Sequence, residues 1–279
     1  MKYTILPNDL TGIADSAHEA IKMRYGLGDA SIEMAIEKSV PIRPTFHWKE
    51  PTEIIMCEVA QRPFPVVIKE LFADISASGL PIRIIVAYPR DAPMSAKSFQ
   101  DDVKLAKKFG IGLLAVDDDG RGKIEYQGVS ISLHFPEIKY DRFPKAFRPL
   151  IKDAYENYMD QGNPKAGLQE LGQIVEDCIL KIGIDAKKKN QLVTNSFKPE
   201  KFIACNRLLD LMIKEEIIDI GILGTAKTFM KARNGVSHKP KSRKAAIERD
   251  LLMKENFQIG LRLLAEIPNE CKKHGLKFK

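Results

Sequence analysis

Arg233 and His238 stand five positions apart in the stretch Lys227-Thr228-Phe229-Met230-Lys231-Ala232-Arg233-Asn234-Gly235-Val236-Ser237-His238. The two residue types suit the cutting of RNA. Strand scission by the ribose 2′-hydroxyl needs a group that titrates near neutrality to move a proton, which histidine provides. It also needs a fixed cation on the phosphate as charge builds there, which arginine's planar fork provides. Neither role requires a metal or a cofactor, so none is expected. Asn234 stands where it would orient the site. Lys227, Lys231, Lys239, Lys241 and Arg243, with Lys244, supply enough positive charge to guide a phosphate backbone towards the pair.

The elements that must position this pair are helical. Ile222, Ala226, Phe229 and Met230 recur at helical spacing, and Arg233 follows Met230 by three residues and Phe229 by four. It therefore emerges on or beside the inward face, where a lone arginine needs an anion or an acidic partner. Asn234-Gly235 predicts a helix stop with glycine as the left-handed cap, and Pro240 with Ser242 predicts a new long helix from about 242 to 267. His238 falls in the connection. Further apolar stripes follow Leu168, Leu171, Val175, Cys178, Ile179 and Ile182, then Phe202, Cys205, Leu209, Met212 and Ile213, then Leu252, Ile259, Leu263 and Ile267.

Charge is divided in the same sense. Residues 1 to 140 hold 17 Lys+Arg against 19 Asp+Glu and residues 141 to 279 hold 27 against 18, so the formal net charge of +7 belongs to the second half. An excess of that size suits a polyanionic partner, nucleic acid being the common case. The alternative is that the lysines simply keep a helical bundle soluble. A length of 279 residues suggests two cores. No stretch approaches the ~20 apolar residues needed to span a bilayer, and the N-terminus lacks the apolar run of a secretory signal, which predicts a cytoplasmic protein. Cys57, Cys178, Cys205 and Cys271 lie far apart, without zinc-site spacing, and read as small buried hydrophobes.

The first half alternates between two periods. Ile54 to Val59, Ile82 to Tyr88 and Ile111 to Val116 are short, nearly continuous apolar runs, as expected of strands covered on both faces. Val66 to Ala77 and Ala96 to Phe109 show helical spacing between them, giving an α/β layer architecture. Residues 8 to 39 look helical and flank the sheet. Asp118-Asp119-Gly120-Arg121-Gly122 predicts a turn leading to hairpin partners Lys123 to Gln127 and Val129 to Leu133. The change of pattern at Pro136 to Pro149 divides the chain into an α/β domain at 1–140 and an all-α domain at 141–279.

The run from Arg233 to His238 resembles the R-x4-6-H motif of the HEPN superfamily (higher eukaryotes and prokaryotes nucleotide-binding), with the polar residue that often follows its arginine; the resemblance covers roughly 145 to 279. It implies a helical bundle with metal-independent endoribonuclease activity on single-stranded RNA. It further implies a homodimer in which two copies of the motif line a basic cleft, and a toxin or phage-defence role controlled by an antitoxin or other regulatory partner. Residues 40 to 135 resemble the restriction-endonuclease-like (PD-D/ExK) fold, through Glu53 to Val59, the helix and strand that follow, and the strand at Gly110 to Asp117. Active members of that group bind Mg²⁺ on an acidic residue and a Glu-x-Lys pair. Here Glu58 stands at the glutamate position and Ala60 where lysine is needed. Glu53 or Glu50 would have to be the acidic partner, and Lys69 the lysine, so Glu53 and Glu58 are expected to mark a degenerate nuclease site. The alternatives are a Mg²⁺-dependent DNA nuclease acting through this domain, and a non-catalytic nucleic-acid-binding or dimerisation protein.

Overall fold

A computed structural model describes residues 3–38, 40–193, 196–199, 201, 203–235 and 240–277. The chain divides into two compact units. The first comprises Met1–Glu137 with Asn157–Pro164 and Lys239–Leu251; the second comprises Ile138–Glu156, Lys165–His238 and Leu252–Lys279.

The first unit is built on a mixed six-stranded sheet of β1 (Ser31–Ile32), β2 (Phe46–Lys49), β3 (Ile54–Val59), β4 (Ile82–Pro89), β5 (Gly112–Val116) and β6 (Gly122–Tyr126), lying side by side in chain order. β3, β4 and β5 run parallel and the other pairs antiparallel. The parallel steps are made by helices α2 (Val66–Ser78) and α3 (Ala96–Lys108), while α1 (Thr11–Tyr25) precedes the sheet. Successive strand residues point to opposite faces. Ile54, Met56, Ile84 and Val86 pack with Ile68, Ile75 and Ala106 of α2 and α3, and Ile55, Cys57, Ile85 and Ala87 pack with Ala14, Ala17 and Ile21 of α1. Apolar cover on both faces is why the central strands read as continuous apolar runs.

Two expectations change here. The helix foreseen over residues 8 to 39 ends at Tyr25, because Gly26 takes the left-handed conformation (φ 65°) and stops it, leaving the following residues to form β1. The turn at 117 to 121 leads β5 into β6, so the hairpin partner of Lys123 to Tyr126 is the strand before the turn. The segment after Gly128 forms a single 3₁₀ turn at Ile131–Leu133 that buries Ile131 and Leu133. β5 already offers an unpaired edge five residues upstream, and the side chain of Asp117 closes the loop by accepting the Arg121 N–H at 2.7 Å.

The remaining helices are α4 (Arg148–Met159), α5 (Pro164–Lys188), α6 (Cys205–Lys214), α7 (Ile220–Gly235) and α8 (Arg243–Lys273). In the second unit α5 is the central element, with the whole predicted stripe from Leu168 to Ile182 buried. α8 approaches α5 and α7 closely at Gly260, where an added Cβ would fall 2.7 Å from Leu171 Cδ2 and 3.0 Å from Phe229 Cε2. α8 begins at the predicted cap, the Ser242 hydroxyl accepting the Ala245 N–H at 3.2 Å, but it runs through Pro268 to Lys273. Its buried side includes Met253, Phe257, Leu261, Leu263, Leu264 and Ile267, so Leu263 and Ile267 lie inside as expected, while Ile259 is half-buried and Leu252 is turned outwards. Among the described residues no helix is long and apolar enough to cross a membrane.

Candidate functional site

α7 starts at Asp219, whose carboxylate accepts the Ile222 N–H at 2.9 Å as an N-cap. Its buried residues are Leu223, Ala226, Phe229 and Met230. Arg233 continues that face one turn later, and its side chain is only 19% exposed. The aliphatic stem lies across α5 at Gly172, where an added Cβ would stand 2.1 Å from Arg233 Cδ. No larger residue at 172 leaves room for this path. One turn along α5, Glu176 Oε2 accepts from Arg233 Nη1 at 3.4 Å, long for a charge-assisted bond, which is usually 2.7–2.9 Å. Among the described residues this is the one hydrogen bond that the Arg233 guanidinium makes. A group with five donors thus keeps most of them unspent, and none of its nitrogens is buried without a partner.

Glu176 also lines a cleft of about 340 Å³. Its polar rim carries Gln173, Glu176, Asp177 and Lys201; Leu180, Pro199, Ile203 and Leu208 form apolar walls. Cys205 lines it too, its thiol pushed up to about 12 by burial and by Glu176, with Arg233 acting in the opposite sense. The cleft that Glu176 lines is therefore of mixed charge.

The other expected residues are distributed as follows. Asn234 and Lys231 are exposed on α7. Lys227 is ion-paired with Asp210 of α6. Lys241, exposed, and Arg243 belong to the first unit, where Arg243 pairs with Glu37 and reaches the Glu50 carbonyl. His238 and Lys239 lie outside the described residues. Gly235 is the last helical residue of α7, not a left-handed cap. The structure thus joins Arg233 to Glu176 and Gly172, a partnership that the sequence reading missed. Its signal was a glycine on the buried face of α5, marking close approach, with an acid one turn further on.

In the first unit Glu53 accepts from Arg83 Nε at 3.0 Å. Glu58 accepts from the Thr45 backbone at 3.1 Å and the Thr45 hydroxyl at 3.4 Å, and burial raises its carboxyl above the usual range. It pairs with neither Arg62, which holds Asp102, nor Arg83. Glu58 shares its face of β3 with Ile54 and Met56, towards α2 and α3, whereas Glu53, just before the strand, is held by Arg83, which lies against Tyr25 of α1, so the two do not converge on one ion. Lys69 is exposed on α2. Among the described residues no three His, Cys, Asp or Glu side chains cluster as metal ligands. His47 and Trp48 are both buried, as a core pair should be. His47 has no hydrogen-bond partner, and burial, then Lys49, lower its pKa to about 4. Compared with protein-family models, curated proteins and solved structures, the chain matches none.

Proposed function

We propose that the chain is a metal-independent endoribonuclease of HEPN type acting on single-stranded RNA. Arg233 clamps the scissile phosphate, His238 transfers the proton, Asn234 orients the site, and Lys227, Lys231 and Lys239 guide the backbone. The observation that carries this reading is the state of Arg233: a side chain four-fifths buried at the end of α7, five residues before a histidine, with one long bond to a single carboxylate and none of its other nitrogens buried without a partner. Donors that stay open on a stem fixed by packing can take an anion, and a phosphodiester oxygen fits. Two motifs meeting across a homodimer complete the proposal, with a toxin or phage-defence role under an antitoxin or another regulatory partner. The first unit is proposed as a restriction-endonuclease-like scaffold or binding module without nuclease chemistry. Its strand, helix and strand succession supports the fold resemblance, and the separate settings of Glu53 and Glu58 speak against a shared metal site.

The test is cleavage of labelled single-stranded RNA and of DNA, with and without EDTA. The expected result is RNA cleavage that EDTA leaves unchanged, and that falls by about 10²–10⁴-fold in His238→Ala with the fold retained by circular dichroism. An unaltered rate in that variant removes the role of His238. DNA cleavage abolished by EDTA would instead place the activity in the first unit.

A further inference from the structure

The cleft beside Arg233 has features that a phosphate clamp alone does not use. Glu176 and Asp177 present carboxylates at its rim, and a second phosphate would be repelled there. Carboxylates only accept hydrogen bonds, so the occupant must present N–H or O–H donors. Gln173 Nε2 already donates to Asp177 at 3.1 Å, which fixes that carboxylate and engages the amide donor. Lys201 adds a cation to the same rim, and Leu180, Pro199, Ile203 and Leu208 supply surfaces on which a flat ring can lie. The volume of about 340 Å³ falls in the range of small-molecule clefts.

We infer that this cleft is a guanine-binding subsite, which holds the base of the nucleotide adjoining the phosphate on Arg233; the inference rests on the ribonuclease reading above. Among the four bases, guanine alone sets two adjacent donors, N1–H and the exocyclic amino group, on its pairing edge, with O6 and N7 as acceptors beyond them. The carboxylates match the first pair, and lysine to O6 and N7 is among the commonest guanine contacts. Adenine and cytosine offer one donor next to an acceptor that a carboxylate repels, and uracil one donor between two carbonyls. Recognition of an unpaired base by its pairing edge, with apolar groups against its face, is the usual way proteins read single-stranded RNA.

The experiment is a direct titration of the full-length protein with GMP, AMP, CMP and UMP, alongside mapping of cut sites in a random RNA pool. GMP is expected to bind at least about tenfold more tightly than the other three, and guanine to be enriched at one position flanking the cut. Both preferences should collapse in Asp177→Asn and weaken in Lys201→Ala, variants of exposed residues whose folding is checked by thermal melting. Equal binding of the four nucleotides, or none, overturns the subsite. RNA cleavage without base preference also overturns it and leaves the ribonuclease reading standing, whereas selective GMP binding without any RNA cleavage removes that reading and leaves the cleft as a guanine site.

Discussion

Arg83 and Arg233 are both arginines with less than a fifth of the side chain exposed, and they are held in opposite ways. Arg83, on β4, donates to Glu53 at 3.0 Å, to the Gly128 carbonyl at 2.8 Å and to the Gln127 carbonyl at 3.3 Å, and lies 5.7 Å from the centre of the Tyr25 ring. Its Nε and Nη1 are spent on tying the start of β4 to Glu53 and to the segment after β6. Arg233 is fixed along its stem by Gly172 but has one long bond at its head. A buried cation tied by several short bonds is a structural clamp. A cation whose stem is fixed while most of its donors stay open keeps capacity for a ligand.

The largest test exchanges the two phenotypes. Arg83→Ala should destabilise the protein by about 3–5 kcal/mol, because it leaves a half-buried carboxylate and two carbonyls without their donor. The thermal midpoint should fall by about 10 °C, while any protein still folded cuts RNA at the normal rate. Arg233→Ala should do the reverse: cleavage falls by about 10²–10³-fold, the loss typical of removing a group that stabilises transition-state charge, with the midpoint nearly unchanged. If Arg233→Ala unfolds the protein and spares cleavage per folded molecule, the distinction between the two arginines fails.

A smaller effect should come from the floor beneath Arg233. Gly172→Ala puts a methyl group 2.1 Å from where Cδ now lies, and the flexible side chain must lift away. The expected outcome is a cleavage loss of about tenfold, with stability changed by less than about 1 kcal/mol, since a helical Gly→Ala change offsets part of the clash. Unimpaired cleavage in this variant would show that the stem path does not matter.

How much of this was legible depended on whether the signal was periodic. The runs at Ile54, Ile82 and Ile111 and the stripe from Leu168 to Ile182 marked their elements because burial imposes periods of two and 3.6 on the chain itself. Arg233 was found by the same logic, as a charge on an apolar face. Glu176 was not, because pairing of α5 with α7 is a tertiary fact with no local trace beyond Gly172. The separation of Glu53 from Glu58 left no local trace either, because Glu53 lies just before β3 and its direction is set by Arg83 on the neighbouring strand. The β5–β6 hairpin was misjudged because both flanks of Gly120 and both flanks of Gly128 offer strand-like neighbours, and only the free edge of β5 decides between them.

Two carboxylates differ in the same way, with a smaller effect. Glu176 meets a single long donor, whereas Glu33 accepts from the Thr4 N–H and hydroxyl, the Ile5 N–H and the Leu6 N–H at 2.5 to 2.9 Å. Burial alone would raise the Glu33 carboxyl, but these bonds outweigh it and lower the pKa to about 2. A carboxyl depressed in the folded state stabilises fully above its unfolded value and loses that contribution as pH falls through the folded one. The anchoring of Thr4 to Leu6 should therefore weaken between about pH 4.5 and 2. Solvent screening at this surface holds the effect to no more than about 1 kcal/mol. Glu33→Gln should flatten this part of the pH–stability curve relative to the parent. A curve that Glu33→Gln does not alter would mean that four donors on one carboxylate hold the N-terminal segment no more firmly than one.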